Sequence, residues 1–281
     1  MTFEPDLIAP DLGRRFGGVA RLYGAAGAER IRNAHIVVVG LGGVGSWAAE
    51  AAARSGVACL TLIDLDHIVE SNINRQVHAL DTTLGQAKVQ AMRERIMHIN
   101  PDCRVNCIED FVNAENWPRL FSFDDLRFDG KHLAVIDACD QVRAKTAMAA
   151  WAIKNKAILI SVGAAGGKRL AHRVDIDDLS TVTHDPLLAQ MRYRLRKEHE
   201  ATRLGEMKVT CVFSREPVTR PSITVDVALH AAAIEKTAVQ LLAAPTQPDG
   251  SLNCNGYGSV VSVTSTFGMC AASWVLDKIV G

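Results

Sequence analysis

The sequence has no excess of charge and few aromatic residues. Its 31 Lys and Arg balance 31 Asp and Glu, and aromatic residues make up 5% of its 281 positions. A neutral chain has no global attraction to nucleic acid, so a nucleic-acid substrate would need a local basic patch. Because 48% of the residues are hydrophobic, the composition excludes an intrinsically disordered chain and is typical of a packed globular protein.

The sequence also lacks paired cysteine motifs and a secretory leader. It has 7 cysteines, an odd number, and Cys103 and Cys107 are the closest two. No second pair accompanies them, whereas tetrahedral zinc sites need paired spacings. The start of the chain carries Glu4, Asp6 and Asp11 instead of the basic start of a signal peptide. We therefore expect free thiols, no zinc and a cytoplasmic protein.

One uncharged run, residues 258–276, is long enough to span a bilayer. Serine and threonine recur throughout it, and Lys278 is its only basic flank. We predict a buried C-terminal helix and no membrane span.

The first half of the chain alternates short apolar runs with helix-like segments. Strands are predicted at 36–39, 59–63, 104–108, 132–136 and 158–162, and helices at 44–55, 86–99, 113–121 and 143–154. This alternation is typical of βαβ units. It predicts an α/β fold with a doubly wound, Rossmann-like, mainly parallel sheet.

After residue 177 the pattern loosens. The predicted elements there are a helix from Pro186, a mobile crossing loop at 198–208, a strand at 208–213, an Ala-rich segment at 225–244 and the final helix. No clean linker separates them from the first half. We expect a single domain over 1–281, with a nucleotide-binding core at about 25–175 and an elaborated C-terminal half at about 176–281.

A glycine-rich turn follows the first predicted strand. Gly40, Gly42 and Gly45 satisfy the G-x-G-x-x-G fingerprint of nucleotide-binding turns. These glycines allow a tight turn, a close approach of phosphate and close helix packing, and the helix N-terminus attracts an anion. Asp64, at the end of the second strand, is placed to bind a ribose. The sequence therefore predicts a nucleotide site and not an empty turn.

The residues beyond Asp64 favour a triphosphate. Arg75 and Lys88 bring two cations to the phosphate site, as the splitting of a triphosphate requires, whereas a dinucleotide needs little beyond the helix terminus. Asp140 ends the fourth strand and offers Mg²⁺ a hard oxygen ligand. We predict bound Mg-ATP, with these three residues catalytic. An NAD-dependent oxidoreductase and a nucleotide-binding module without chemistry are the alternatives.

These motifs carry a resemblance to a known family. GxGGVGS, DxDxVxxSNxNRQ, GxxK and DAxD, in this order, resemble the ubiquitin-activating-enzyme-like (ThiF/MoeB/HesA) adenylyltransferases. In that family a substrate carboxylate attacks the α-phosphate of ATP, which gives an acyl adenylate and pyrophosphate. The resemblance implies that Asp64 holds the ribose and Asp140 the Mg²⁺. The implied contacts to the rest of ATP are Gly40, Gly42, Gly43, Gly45, Asn72, Arg75, Gln76 and Lys88.

Further stretches resemble one branch of that family along nearly the whole chain. They are RFGGVARLYG at 15–24, DPL at 185–187, CVFS at 211–214 and TFG at 266–268. The branch acts on tRNA, which implies ATP-dependent cyclisation of N6-threonylcarbamoyladenosine through its threonine carboxylate. It also implies a homodimer. Adenylation of the C-terminus of a sulfur-carrier or ubiquitin-like protein is the alternative, and the missing zinc cysteines count against it.

Three further residues have weaker interpretations. The wider family often has an arginine that reaches ATP in the partner subunit where this chain has Gly18, and we assign that role to Arg21, with Arg15 as the alternative. Cys211 lies in an apolar strand and is expected to pack. Cys254 lies in a polar turn, where it would serve a cysteine desulfurase or sulfur-acceptor partner.

A basic cluster offers the local patch that tRNA would need. It consists of Arg192, Arg194, Arg196, Lys197, Arg203 and Lys208, with Tyr193 as a stacking face. We predict that it positions the anticodon arm through phosphate contacts. The alternative is an ordinary solvated helix face.

Overall fold

The computed structural model describes residues 10–117, 119–120, 133–219 and 257–281. Its strands are β1 (His35–Val39), β2 (Cys59–Ile63), β3 (Arg104–Ile108), β4 (Leu133–Asp137), β5 (Ile158–Val162), β6 (Val174–Asp178) and β7 (Thr210–Ser214). Its α-helices are α1 (Leu12–Arg32), α2 (Gly45–Arg54), α3 (Lys88–Ile99), α4 (Val142–Asn155), α5 (Pro186–Glu198) and α6 (Val261–Val280).

The strands form one sheet with the order β3-β2-β1-β4-β5-β7-β6. Neighbouring strands are parallel except β6, which runs antiparallel to β7. The chain winds outward from β1 through β2 to β3, and then returns to the other side of β1 with β4. Ligands of doubly wound sheets bind at such a switch point, outside the carboxyl ends of the strands. The α/β, mainly parallel sheet predicted from the sequence is confirmed.

Helices cover both faces of the sheet. Alternate side chains of β1 face opposite cores: Ile36 and Val38 pack with α1, α2, α3 and α6, whereas Val37 and Val39 pack with α4 and α5. Helix α6 lies against α2 so closely that a Cβ at Gly268 would clash with the carbonyl oxygen of Val44. The predicted buried C-terminal helix is confirmed. Within the described ranges, no helix is long and apolar enough to cross a membrane.

The structure differs from the sequence-based expectation in three segments. Helix α1 was not predicted because little of it is buried, and strand β6 was not predicted because its sequence VDIDD is rich in aspartate, which strands disfavour. The short helix expected at 113–121 is replaced, where described, by turns. Asn113 Oδ1 accepts hydrogen bonds from the N–H groups of Glu115 and Asn116, as an N-cap residue does, but the turn that follows does not continue as a helix in the described residues. The Ala-rich segment 225–244 lies outside the described residues.

Candidate functional site

A cleft of about 560 Å³ opens at the carboxyl edge of the sheet, around the switch point between β1 and β4. Most of the residues that the sequence singled out line this cleft. They are Gly40, Gly42, Gly43, Asp64, Asn72, Arg75, Gln76, Lys88 and Asp140. The fold therefore brings together at one edge residues that are up to 100 positions apart in the chain. Gly45 and Arg21 do not line the cleft.

The glycines of the turn between β1 and α2 have different roles. Gly40 has a φ of 85°, and a Cβ there would approach the carbonyl oxygen of Ala138 to 2.9 Å. A Cβ at Gly45 would overlap the carbonyl oxygen of Gly40. At Gly42 a Cβ would meet nothing within 4 Å, since this position faces the open cleft. The fold requires Gly40 and Gly45, whereas Gly42 leaves the backbone open to a ligand.

Asp64 organises the glycine turn from the end of β2. Its Oδ2 accepts a hydrogen bond from the Leu41 N–H at 2.5 Å, and its Oδ1 accepts one from the Asp66 N–H at 2.9 Å. Burial raises the pKa of Asp64, and the nearby Lys88 ammonium partly opposes this effect. The sequence predicted a ribose-binding carboxylate here, and the structure adds that the same carboxylate holds the turn.

Lys88 lies at the first position of α3 and faces two carboxylates. Its Nζ is 2.6 Å from Asp66 Oδ2 and 3.7 Å from Asp64 Oδ1. The lysine side chain is nearly buried, but the Asp66 side chain is 72% exposed. Because Asp66 can leave into solvent at little cost, the ammonium group can exchange it for a phosphate group.

The 3₁₀ turn Glu70–Asn72 and the segment after it supply further polar groups. Asn72 is buried and its Oδ1 accepts a hydrogen bond from the Val69 N–H at 3.2 Å. The Oε1 atom of Gln76 is buried and has no hydrogen-bond partner among the described residues. An unsatisfied amide oxygen beside an open cleft indicates that a ligand, or water, supplies the missing bond.

Arg75 is held over the glycine turn. Its Nη1 donates to Asn74 Oδ1 at 2.9 Å and to the carbonyl oxygen of Ser71. Its stem lies next to Gly43, since a Cβ there would be 3.1 Å from Arg75 Cγ. Trp47 Nε1 donates to the carbonyl oxygen of Arg75 at 2.9 Å. The sequence did not single out Trp47, although it directly follows the GxGGVGS motif.

A buried ion pair supports the end of β4. Lys145 Nζ lies 3.0 Å from Asp137 Oδ1 and donates to the Asp137 carbonyl oxygen at 3.2 Å. Ser161 Oγ donates to Asp137 Oδ2 at 2.6 Å. Burial alone would lower the pKa of Lys145, but the Asp137 carboxylate outweighs it and the pKa is raised, so the lysine is charged. Three residues beyond Asp137, the exposed Asp140 lines the cleft. The sequence reasoning assigned no role to Lys145.

Arg21 does not reach the cleft of its own chain. Its guanidinium group lies beside α1, where a Cβ at Gly17 would be 3.5 Å from Nη1 and one at Gly18 would be 3.8 Å from Nη2. Its contact with ATP in a partner subunit stays a prediction.

Part of the predicted basic cluster is occupied by contacts within the fold. Arg192 Nη1 donates to the carbonyl oxygens of Leu179 and Val182, both at 2.9 Å. Arg194 forms an ion pair with Glu198 at 2.7 Å. Arg192 therefore anchors α5 to the preceding loop through one of its nitrogens. For the members of the cluster, tRNA contact stays a prediction.

The two weighed cysteines have different outcomes. Cys211 is completely buried in β7, and burial raises the pKa of its thiol well above the usual range. A thiol in this state is a poor nucleophile, so its predicted packing role is confirmed. Cys254 lies outside the described residues.

Comparisons with known proteins give the same picture. The model of the ThiF family matches residues 17–281. The chain is 40% identical over 268 residues to the tRNA threonylcarbamoyladenosine dehydratase of Escherichia coli, which covers 95% of this chain and 93% of the relative. The enzyme of that name from Haemophilus influenzae is 40% identical over 269 residues, with the same coverage of both chains.

Solved structures also match along the whole chain. The crystal structure of the E. coli tRNA N6-threonylcarbamoyladenosine dehydratase in complex with ATP has a TM-score of 0.78 and 37% identity, and covers 97% of each chain.

A further sequence relative matches only part of the chain. The E. coli molybdopterin-synthase adenylyltransferase is 32% identical over 139 residues, which are 50% of this chain and 52% of the relative.

Proposed function

The chain belongs to the ThiF family, and from this premise we propose that it catalyses the ATP-dependent dehydration of N6-threonylcarbamoyladenosine in tRNA. The observation that carries the proposal is the cleft, where the predicted residues of five separate segments converge on one space. Similarity to threonylcarbamoyladenosine dehydratases over 95% of the chain supports the choice of substrate. The chain is accordingly an ATP-dependent adenylating enzyme of the ligase type.

The residues of the cleft fit ATP. Gly42 leaves room where a Cβ would project toward the phosphates. Gln76 would donate to a phosphate oxygen through its Nε2, and its buried Oε1, which can only accept, would take a hydrogen bond from water or a ribose hydroxyl. Asp64 lies at the end of β2, where a ribose would sit. We assign the phosphate contacts to Asn72, Arg75, Gln76 and Lys88, because two cations and two amides line the same wall.

The donor set also fits Mg²⁺. Asp140 is exposed in the cleft and offers a carboxylate, and Mg²⁺ is commonly bound by one or two carboxylates together with substrate phosphates. When bound, Mg²⁺ supplies charge neutralisation at the triphosphate. Asp140 would hold it there, and the buried pair of Asp137 and Lys145 would keep the Asp140 segment in place.

The reaction has two balanced steps. In the first, the threonine carboxylate attacks the α-phosphate of ATP, the bond to the β-phosphate breaks, and pyrophosphate leaves. Arg75 and Lys88 stabilise the charge that develops on the leaving group. In the second, an atom of the same nucleoside attacks the activated carbonyl, AMP leaves with the original carboxylate oxygen, and the proton that the attacking group gives up passes to solvent. The carboxylate is already ionised at neutral pH, so the first step needs no general base.

We also propose the setting in which this chemistry takes place. The chain would act as one adenylation domain in a cytoplasmic homodimer, and the family match over residues 17–281 supports the single domain. The anticodon arm of tRNA would be the macromolecular partner. A cysteine desulfurase or sulfur acceptor would be a further partner through Cys254.

A second function has one observation in its favour. The similarity to a molybdopterin-synthase adenylyltransferase covers about half of each chain, which fits activation of a carrier-protein C-terminus by the same chemistry. We favour the tRNA substrate because the match to the dehydratases covers 95% of the chain.

Mass spectrometry of nucleosides tests the proposal. Purified protein is incubated with Mg-ATP and tRNA that carries N6-threonylcarbamoyladenosine, and the tRNA is then mildly digested. We expect this nucleoside to lose one water only when ATP is present. An unchanged nucleoside, in a preparation that exchanges pyrophosphate into ATP when offered a carrier-protein C-terminus, would contradict the proposed substrate while retaining the adenylation chemistry.

A further inference from the structure

A second cavity, of about 740 Å³, lies beside α1, α2 and α3 and shares no lining residue with the ATP cleft. Helix α1 contributes Arg15, α2 contributes Arg54, and α3 contributes Arg95 and His98. The loop before α3 adds His78. We refer to this space as the arginine cavity.

The arginine cavity carries a surplus of positive charge. Arg95 makes two hydrogen bonds to the buried Glu50 carboxylate, at 2.7 and 3.1 Å, and Arg54 Nε lies 2.8 Å from the same carboxylate. Two guanidinium groups therefore share one negative charge. Arg15 Nη1 donates to the carbonyl oxygen of Ile99 at 2.9 Å, which is a neutral acceptor. Glu94 is the one acidic residue among those that line the cavity, so three cations face two carboxylates.

His78 points to a polar ligand. Its side chain is 1% exposed, and neither ring nitrogen has a hydrogen-bond partner among the described residues. Burial, followed by the charges of Lys88 and Arg95, lowers the pKa of His78 to about 4, so the ring is neutral and one nitrogen carries a hydrogen. A buried polar group without a hydrogen-bond partner destabilises the fold. A ligand that accepts this hydrogen would remove this destabilisation.

We propose that the arginine cavity binds a phosphate group outside the ATP cleft. Guanidinium groups match the geometry of phosphate oxygens, and the neutral ring of His78 can donate to one of them. The phosphate comes either from the backbone of a tRNA or from a free phosphate ion. The tRNA source rests on the proposed function, whereas the free-ion source does not.

Three variants separate this site from general electrostatics. Arg54→Gln removes one cation but leaves Glu50 with its two bonds from Arg95. His78→Phe removes both ring nitrogens without breaking a hydrogen bond between described residues. Arg93→Gln is the matched control, because Arg93 is an exposed arginine of α3 that does not line the cavity.

The first arm of the test uses inorganic phosphate alone. Its binding is measured by calorimetry against chloride at equal ionic strength. For this source we expect Arg54→Gln and His78→Phe to bind about tenfold more weakly, as the loss of one charge-assisted hydrogen bond predicts, and Arg93→Gln to bind like wild type. Thermal shifts with Mg-ATP report whether the ATP cleft is intact in each variant.

The second arm measures tRNA affinity as a function of salt concentration. If the phosphate belongs to tRNA, we expect Arg54→Gln to reduce the slope of log K against log salt by about 0.7–0.9, the amount for one phosphate contact. We expect His78→Phe to weaken tRNA binding as well. Arg93→Gln should leave both unchanged. Unchanged binding of both ligands in Arg54→Gln and His78→Phe, or an equal loss in Arg93→Gln, would overturn the proposal. Turnover of the modified nucleoside by the wild-type protein is measured separately. Its absence would contradict the proposed function but not the phosphate site.

Discussion

Strands β2 and β4 lie on either side of β1, and each is followed by aspartates that face a lysine. We call these groups the β2 cluster (Asp64, Asp66 and Lys88) and the β4 cluster (Asp137 and Lys145), and they differ in burial. At β2, Lys88 pairs with Asp66, whose side chain is 72% exposed. At β4, Lys145 and Asp137 are both fully buried. The first cluster can open and accept a phosphate, whereas the second can only hold the chain that carries Asp140. We therefore propose that the same residue types serve binding in one place and positioning in the other.

Burial also sets the energetic role of each pair. An exposed ion pair contributes about 0–1 kcal/mol, because water and salt screen it. A buried pair gains little over an apolar replacement of both partners, but the loss of one partner leaves an uncompensated charge. The β4 cluster should therefore respond to substitution through stability, and the β2 cluster through ATP binding.

The largest effect should come from Lys145→Met. Removal of the ammonium group leaves the Asp137 carboxylate buried and uncompensated, so we expect the free energy of unfolding to fall by about 3–5 kcal/mol. Urea denaturation measures this loss. Lys154→Met, an exposed position on the same helix, is the control and should change stability by less than about 0.5 kcal/mol. Equal stability of the two variants would remove the distinction between the clusters.

Asp140→Asn should remove nearly all turnover and leave the fold intact. Asp140 is exposed and we assign it to Mg²⁺, so its loss removes electrostatic stabilisation at the triphosphate, and we expect kcat to fall by about 10²–10³-fold. Arg75→Ala should behave in the same way. Turnover is followed by the nucleoside assay and folding by the melting temperature. Wild-type rates in either variant would contradict the mechanism.

Lys88→Met should weaken ATP binding more than it weakens the fold. Loss of one cation at the phosphates should raise the Kd of Mg-ATP by about tenfold, the amount for one charge-assisted hydrogen bond. The free energy of unfolding should fall less than in Lys145→Met, because Asp66 is released into water and the buried Asp64 keeps its hydrogen bonds from the Leu41 and Asp66 N–H groups. Calorimetric titration and urea denaturation provide the two values. A stability loss as large as that of Lys145→Met would mean that the β2 cluster is also a structural pair.

The smallest effect should be a pH dependence at Asp64. Burial raises the pKa of Asp64, so the folded state holds this proton more tightly than the unfolded state does. The stability that this group contributes is therefore present at low pH and is lost as pH rises through the raised pKa. Relative to Asp64→Asn, the wild-type free energy of unfolding should fall between acidic and neutral pH. A rise in the free energy of unfolding of wild type relative to Asp64→Asn over the same pH range would show that folding lowers the pKa of Asp64.

The sequence predicted the β2 side of the cleft well because its parts are local. A strand, a glycine turn and a helix follow each other directly, and Asp64 ends the next strand. The support under Asp140 could not be predicted in this way. Asp137 and Ser161 meet only because β4 and β5 pair in a register that aligns these two residues. The arginine cavity combines positions from three helices and a loop, and no local motif marks such an arrangement.

The central claim is that a carboxylate of tRNA is adenylated in this cleft. The fate of the carboxylate oxygen tests this claim most directly. N6-threonylcarbamoyladenosine labelled with heavy oxygen in its threonine carboxylate is supplied in tRNA with Mg-ATP, and the nucleotide products are analysed by mass spectrometry. Attack of the carboxylate on the α-phosphate predicts that the label appears in AMP and that unlabelled pyrophosphate is released. Label in inorganic phosphate, together with ADP, would mean that the γ-phosphate is attacked and would contradict the account.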